Sequence, residues 1–297
     1  INQINKNIKL SEPFKNLFTQ GMVCHETYKD LNDNWLYPEE VTKDKNNNNI
    51  YKKISDKTKV TVGPSESMSK SKKNTIDPET MIKHYGADAV RWFILSDSPP
   101  EKDIQWSDNG VSSANKFLQK MWNLTVSIIS KKQNNKINEK VIKKFNDEID
   151  NLANRINNTI NEFKFNVSIA HFYEAYKVIN NYQNLDVDNK NLQENLSKII
   201  SMMIPFTPHI SYECLELLKY KSSDKWPALR KNIIHNIKMA VQVNGKTRDI
   251  IDVKMNLNEK QVNEIIISNS KAKKFIQDKN ITKTIFVQNK IINYIIK

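Results

Sequence analysis

From Val111 to Leu218 apolar residues recur at three- and four-residue steps, the period of helices buried along one face, and nothing else constrains the fold as strongly. Val111, Ala114, Phe117, Leu118, Met121, Trp122, Thr125, Ile128 and Ile129 trace a first stripe. Val141, Ile142, Phe145, Ile149, Leu152, Ile156, Ile160 and Phe163 trace a second. Ile169, Phe172, Tyr173, Tyr176 and Ile179 form a third, and Leu192, Leu196, Ile199, Ile200 and Met203 a fourth. A fifth runs from Ile210 to Leu218, behind Pro205 and Pro208. Five amphipathic helices with short polar joints hide such stripes against one another, as a helical bundle. The stripes are core, not chemistry. His209 is read the same way, as a core or helix-start residue, and Trp92, Trp106, Trp122 and Trp226 as packing residues.

On either side the period changes. The opening stretch, through Met22 and Val23, reads as an element buried in something larger. From Cys24 to Val62, Trp35, Tyr37, Val41, Ile50, Tyr51 and Ile54 sit among turn formers such as Asn46 to Asn49. That pattern predicts short strands joined by polar turns, a β-rich insertion. Lys59 to Val62 reads as its last strand, ended by Gly63-Pro64, and residues 65–75 as a loop. Asp77-Pro78-Glu79 starts a helix, with Asp77 as cap and Pro78 at the first helical position. Gly86 breaks it, and Ala89 to Leu95 is a buried helix or strand. Beyond Trp226-Pro227, from Lys238, a strand-like period returns. Ala240–Val243 and Ile250–Val253 flank Asn244-Gly245, a strong hairpin signal. A helix over 258–276 and strands near Thr284–Val287 and Ile291–Ile296 complete a separate small α+β domain.

The 297 residues suffice for two or three domains, and the start on Ile1 predicts a piece of a longer protein. A net charge of +13 fits a polyanionic partner. However, only Arg91, Arg155, Arg230 and Arg248 are arginines; the other 42 of 46 basic residues are lysines, and Asn and Ile are abundant. A/T-rich codons alone would produce that bias. Two cysteines, Cys24 and Cys214, with no CxxC, argue against a disulfide framework or a zinc site. No apolar run approaches the ~18 residues of a membrane span, and no signal-peptide layout opens the chain. A reduced, cytoplasmic setting is expected.

Chemistry concentrates in Ser67-Met68-Ser69-Lys70-Ser71-Lys72-Lys73-Asn74. Three close ammonium groups on a Ser-rich loop, just before a capped helix, can neutralise charge developing on a leaving pyrophosphate. A lysine-rich loop can equally be a solvated surface. Context decides. Met68-Ser69-Lys70-Ser71, followed by Lys72-Lys73-Asn74 and the Asp77-Pro78 helix start, resembles the KMSKS loop of class I aminoacyl-tRNA synthetases. His84 to Arg91 resembles the family's next helix, and Ser98 to Val111 is most similar to its bacterial leucine enzymes. Pro205 to Ile210 resembles the last helix of the anticodon-binding bundle. Val241 to Arg248 resembles the opening of the leucine enzyme's C-terminal domain, and Gln20 to Val23, with Trp35 and Pro38, the stretch ahead of the loop.

The resemblance implies a multidomain α+β protein: the end of a Rossmann-type catalytic domain with its insertion (1–76, insertion about 22–62), a connecting stem-contact segment (77–107), an anticodon-binding-type bundle (108–230) and a C-terminal tRNA-binding domain (238–297). It implies ATP as substrate, Mg2+ accompanying it with no ligand identified here, leucine, and tRNA(Leu) as partner, in a monomeric enzyme. Lys70 matches the motif's second lysine, the implied catalytic group, with Met68, Ser69 and Ser71 beside it at ATP. Ser67 stands where the motif begins with lysine, so one ammonium is missing. Lys246 and Arg248 are the implied tRNA contacts. No HIGH-like tetrapeptide occurs: His25, His84, His171, His209 and His235 stand singly. The family's other nucleotide half, its editing domain and most of its leucine pocket lie elsewhere, so this chain alone is expected to be inactive. A valine or isoleucine enzyme, a split-enzyme subunit and a stand-alone RNA-binding remnant are the alternatives.

Overall fold

The computed structural model describes residues 14, 16–44, 50–131, 137–221, 225–230, 236–255, 257–277 and 279–296. The expected turn at Asn46–Asn49, and His235, lie outside them. Contacts divide the chain into two compact units, Ile1–Leu229 and Arg230–Lys297.

In the first unit, β1 (Val23–Lys29), β2 (Trp35–Leu36), β3 (Val41–Lys43), β4 (Tyr51–Lys53) and β5 (Lys59–Ser67) form an antiparallel sheet in the order β2-β1-β5-β4-β3. Its small core holds Tyr28, Leu36 and Val60. Gly63-Pro64 does not end β5 as expected. Tyr28 pairs with Val62 and Glu26 with Ser65, so Thr27 alone opposes Gly63 and Pro64 in a β-bulge. A bulge leaves one residue unpaired, which suits a proline with no N–H, and the Thr27 hydroxyl donates to the Pro64 carbonyl at 3.2 Å. The loop therefore starts at Met68, not at residue 65. Upstream, among the described residues, Phe18 stacks on Phe163 while Leu17 is 90% exposed.

After the loop come α1 (Pro78–Tyr85), α2 (Ala87–Asp97) and β6 (Ile104–Gln105). Gly86, at φ 81°, supplies the left-handed joint between the helices. β6 pairs parallel with β1, Val23 opposite Ile104. A parallel pair needs a long crossover, and the sequence between the strands, with α1 and α2, provides it. The sequence left residues 89–95 open between helix and strand; they lie in α2.

The five stripes become α3 (Asp108–Ser130), α4 (Glu139–Asn161), α5 (Phe165–Tyr182), α6 (Asn189–Met203) and α7 (Pro208–Leu217). Most stripe residues are buried, whereas Trp122, Ile129 and Phe163 at the margins are exposed. The start of α7 has no side-chain cap of its own. Instead Asp88, reaching from α2, accepts the Ile210 amide at 2.8 Å. The His209 side chain is 70% exposed, so it is a helix-start residue and not core. Trp92 is fully buried, stacked on Phe117 at 5.0 Å between centroids, with its indole N–H donating to the Tyr173 hydroxyl. Trp92→Ala should cost about 3–5 kcal/mol, read as a lowered urea midpoint; a change below about 1 kcal/mol would show that this aromatic cluster does not hold the bundle.

The second unit is a four-stranded sheet, β7 (Asn236–Val243), β8 (Lys246–Lys254), β9 (Ile281–Val287) and β10 (Ile291–Ile296), ordered β8-β7-β10-β9, with α8 (Glu259–Asn269) and α9 (Lys273–Ile276) between β8 and β9 in sequence. Asn244 and Gly245, at φ 49° and 77°, form the tight β7–β8 turn. Met239, Val241, Val243, Ile251, Val253, Ile292 and Tyr294 pack with Val262 and Ile266 of α8. The helix expected over 258–276 is broken at Ser270. The Ser270 hydroxyl donates to Asp249 at 2.6 Å and accepts the Ala272 amide, while the Lys271 amide donates to the same carboxylate oxygen. Serine bonding of this kind competes with helix continuation. The Ser270 hydrogen bond, first, and the Lys271 amide hold the Asp249 carboxyl below its ordinary range.

Candidate functional site

The lysine loop leaves β5 at Ser67, which pairs with Cys24 of β1, and the Met68 amide still donates to the Val23 carbonyl at 3.1 Å. Ser69 to Lys73 then fold into a compact turn. The Lys73 amide donates to the Lys70 carbonyl, the Ser69 hydroxyl accepts the Lys72 amide at 3.4 Å, and the Ser69 and Ser71 hydroxyls lie 3.3 Å apart. Lys73 takes a left-handed φ of 52°, which reverses the chain. On the far side α1 begins at once: Asp77 accepts the Glu79 and Thr80 amides, both at 3.1 Å. The Thr80 hydroxyl, first, and those amides hold the Asp77 carboxyl low.

The three lysines are not equivalent in their contacts. Lys72 is ion-paired with Glu66. Lys73 places its ammonium 5.2 Å from the centre of the Tyr37 ring, a cation–π contact. Lys70 is exposed at the tip and has no side-chain partner among the described residues. Sequence assigned no site role to Glu66, Tyr37 or Asn74. Glu66 stands four positions before Lys70 but reads as loop, and Tyr37 is remote in sequence. Asn74 is fully buried and makes four hydrogen bonds, yet a polar residue in a polar run carries no sign of burial.

In the second unit, Lys246 opens β8 and is exposed. Arg248 is the extra residue of a β-bulge: Val241 pairs with Asp249 and Gln242 with Thr247. Its guanidinium lies 4.4 Å from the centre of the Phe275 ring, and the Lys274 ammonium lies 5.2 Å from the same ring. The bulge therefore brings Arg248 and Lys274, 26 positions apart in sequence, to one aromatic surface.

A separate cleft of about 440 Å³ lies among α2, α3 and α7, with Asn115, Trp122 and His209 on its walls and none of the predicted site residues. His171 is buried in the bundle 3.8 Å from Glu174; burial, then the Arg155 charge, lowers its pKa. Among the described residues no group of three His, Cys, Asp or Glu could hold a metal ion, and no helix is long and apolar enough to cross a membrane.

Residues 30–107 match the family model for class I tRNA synthetases of the isoleucine, leucine, methionine and valine type, and residues 143–265 that for the anticodon-binding domain of tRNA ligases. The leucine–tRNA ligase of Orientia tsutsugamushi is 39% identical over 98% of this chain, and that of Prochlorococcus marinus 36% identical over 98%. These matches cover 35% and 34% of the two relatives, so the chain spans about a third of their length. The fold is similar to that of a leucyl-tRNA synthetase from Agrobacterium radiobacter, crystallised as a ternary complex with tRNA and LeuAMS: TM-score 0.64, 20% identity, 97% of this chain and 34% of that one. Lysine loop, bundle and terminal sheet thus follow one another within a single alignment, and the chain belongs to the class I tRNA synthetases, as a segment of the leucine–tRNA ligase type.

Proposed function

We propose that this chain supplies the ATP-binding loop and the tRNA-binding parts of an enzyme joining leucine to tRNA(Leu). The reading divides it into the end of the catalytic domain (1–76), a stem-contact segment (77–107), the anticodon-type bundle (108–230) and a tRNA-binding domain (238–297). In the first step a leucine carboxylate oxygen attacks the α-phosphorus of ATP, and the bond to the β-phosphate breaks, releasing pyrophosphate. A terminal ribose hydroxyl of tRNA then attacks the leucyl carbonyl, and AMP leaves. The single observation that supports Lys70 as the catalytic group is its free, exposed ammonium on a turn where Lys72 and Lys73 are engaged elsewhere. Charge placed where the leaving pyrophosphate becomes more negative lowers the barrier with little reorganisation. Met68, Ser69 and Ser71 shape the turn against ATP. Mg2+ bound with ATP would screen its phosphates.

The family resemblance supports a monomer working in the cytoplasm, where tRNA is charged. A full-length ligase carrying this sequence should catalyse leucine-dependent ATP–pyrophosphate exchange, and residues 1–297 alone should show none above a contaminant control. Exchange by the isolated chain, or a full-length protein that activates valine or isoleucine in place of leucine, would overturn the reading.

A further inference from the structure

We infer that Asn74 is the positioning residue of the lysine loop, holding Lys70 at its working place while touching no substrate itself. The inference rests on the reading of Lys70 as the group that meets ATP phosphate. Asn74 is fully buried at the point where the loop returns to the sheet. Its Oδ1 accepts the Ser69 amide at 2.8 Å. Its Nδ2 faces three backbone carbonyls, those of Glu66 at 3.1 Å, His25 at 3.2 Å and Ser67 at 3.4 Å. One primary amide thus joins the entry of the loop, its first turn residue and the neighbouring strand β1.

The chemistry selects this side chain. The turn needs an acceptor on one branch, for an amide N–H, and a donor on the other, among three carbonyl oxygens. An asparagine amide offers both; a carboxylate is acceptor only. Without the clamp, Ser69 to Lys73 would be held to the sheet by the Lys72–Glu66 ion pair and the Lys73–Tyr37 contact. The Lys72 and Glu66 side chains are 40% and 37% exposed, and ion pairs open to solvent fix geometry weakly. A buried amide with four partners loses far more if removed, because the backbone groups it leaves cannot readily reach water. With the base of the turn fixed, the reach of the Lys70 ammonium is limited. A misplacement of about 1 Å can cost about 10²-fold in rate.

The test is a double-mutant cycle in a full-length ligase carrying this sequence, read by leucine-dependent ATP–pyrophosphate exchange. Asn74→Ala should lower the maximal exchange rate about 30–100-fold with the KM for leucine unchanged. Asn74→Asp, nearly isosteric, should be at least as damaging, because it sets negative charge against three carbonyl oxygens. Adding Asn74→Ala to Lys70→Ala should cost less than about threefold further, since Asn74 acts through Lys70. Full multiplication of the two losses would overturn the inference while leaving the Lys70 reading intact. No effect of Lys70→Ala would overturn that reading itself. If Asn74 variants fail to fold, the unaltered protein decides: its Ser69 amide should resist hydrogen exchange while the amides of Lys70 and Ser71 exchange freely, and a Ser69 amide as fast as theirs would remove the clamp.

Discussion

Lys70→Ala in a full-length ligase carrying this sequence should slow leucine activation by about 10²–10³-fold, the loss typical when one preorganised group facing a transition-state charge is removed. If the loop meets phosphate, as proposed, the loss should fall on the rate and not on leucine affinity. The structure sharpens the comparison with the neighbouring lysines. Lys72 is committed to Glu66 and Lys73 to the Tyr37 ring. Lys72→Ala removes a solvent-screened ion pair and should cost no more than about fivefold. If Lys72→Ala were the more damaging change, the ammonium at phosphate would be that of Lys72, released from Glu66 on nucleotide binding, and the role given to Lys70 would be wrong.

The contrast among the lysines shows where sequence reasoning stops. The order of elements was legible wherever the signal was local or periodic: the five helical stripes, the Asp77-Pro78 helix start and the Asn244-Gly245 turn all stand where the pattern put them. The errors have physical causes. Gly63-Pro64 reads as a strand end because proline cannot donate to a ladder, yet a bulge opposite Thr27 removes that demand and β5 runs on to Ser67. The helix over 258–276 breaks at Ser270 because a carboxylate 21 positions earlier, Asp249, offers its hydroxyl and the next amide a better partner than the helix does. Asn74 is invisible for the same reason, since its partnership with the His25 carbonyl bridges 49 positions. Periodicity reports which face is buried; it does not report which polar group a distant strand will present. The motif marked which segment to examine, but the partners of Lys72, Lys73 and Asn74 are contacts the motif does not contain.

Removal of the second unit, residues 230–297, from the full-length protein should leave ATP–pyrophosphate exchange nearly intact while transfer of leucine to tRNA collapses. The unit has its own core, centred on Val241, Ile266, Ile292 and Tyr294, so its loss need not unfold the first unit. Its surface carries Lys246, Arg248, Lys271, Lys273 and Lys274, all exposed. Arg248 and Lys274 share the Phe275 ring, which brings two cations to one surface. A planar guanidinium so placed can meet a phosphate in two-pronged fashion. The charge alone would not argue for tRNA, because lysine abounds throughout the chain; the clustering at the Arg248 bulge suits an anionic partner, and tRNA is the one proposed. Each phosphate contact removed should flatten the salt dependence of tRNA affinity by about 0.7–0.9 in the log–log slope. Binding by the intact protein should therefore weaken with salt more steeply than binding by the truncated one. Arg248→Ala should reproduce part of that flattening without loss of exchange. Equal loss of exchange and transfer on truncation, together with a lowered melting temperature, would make the unit a stabilising cap and end its assignment to tRNA.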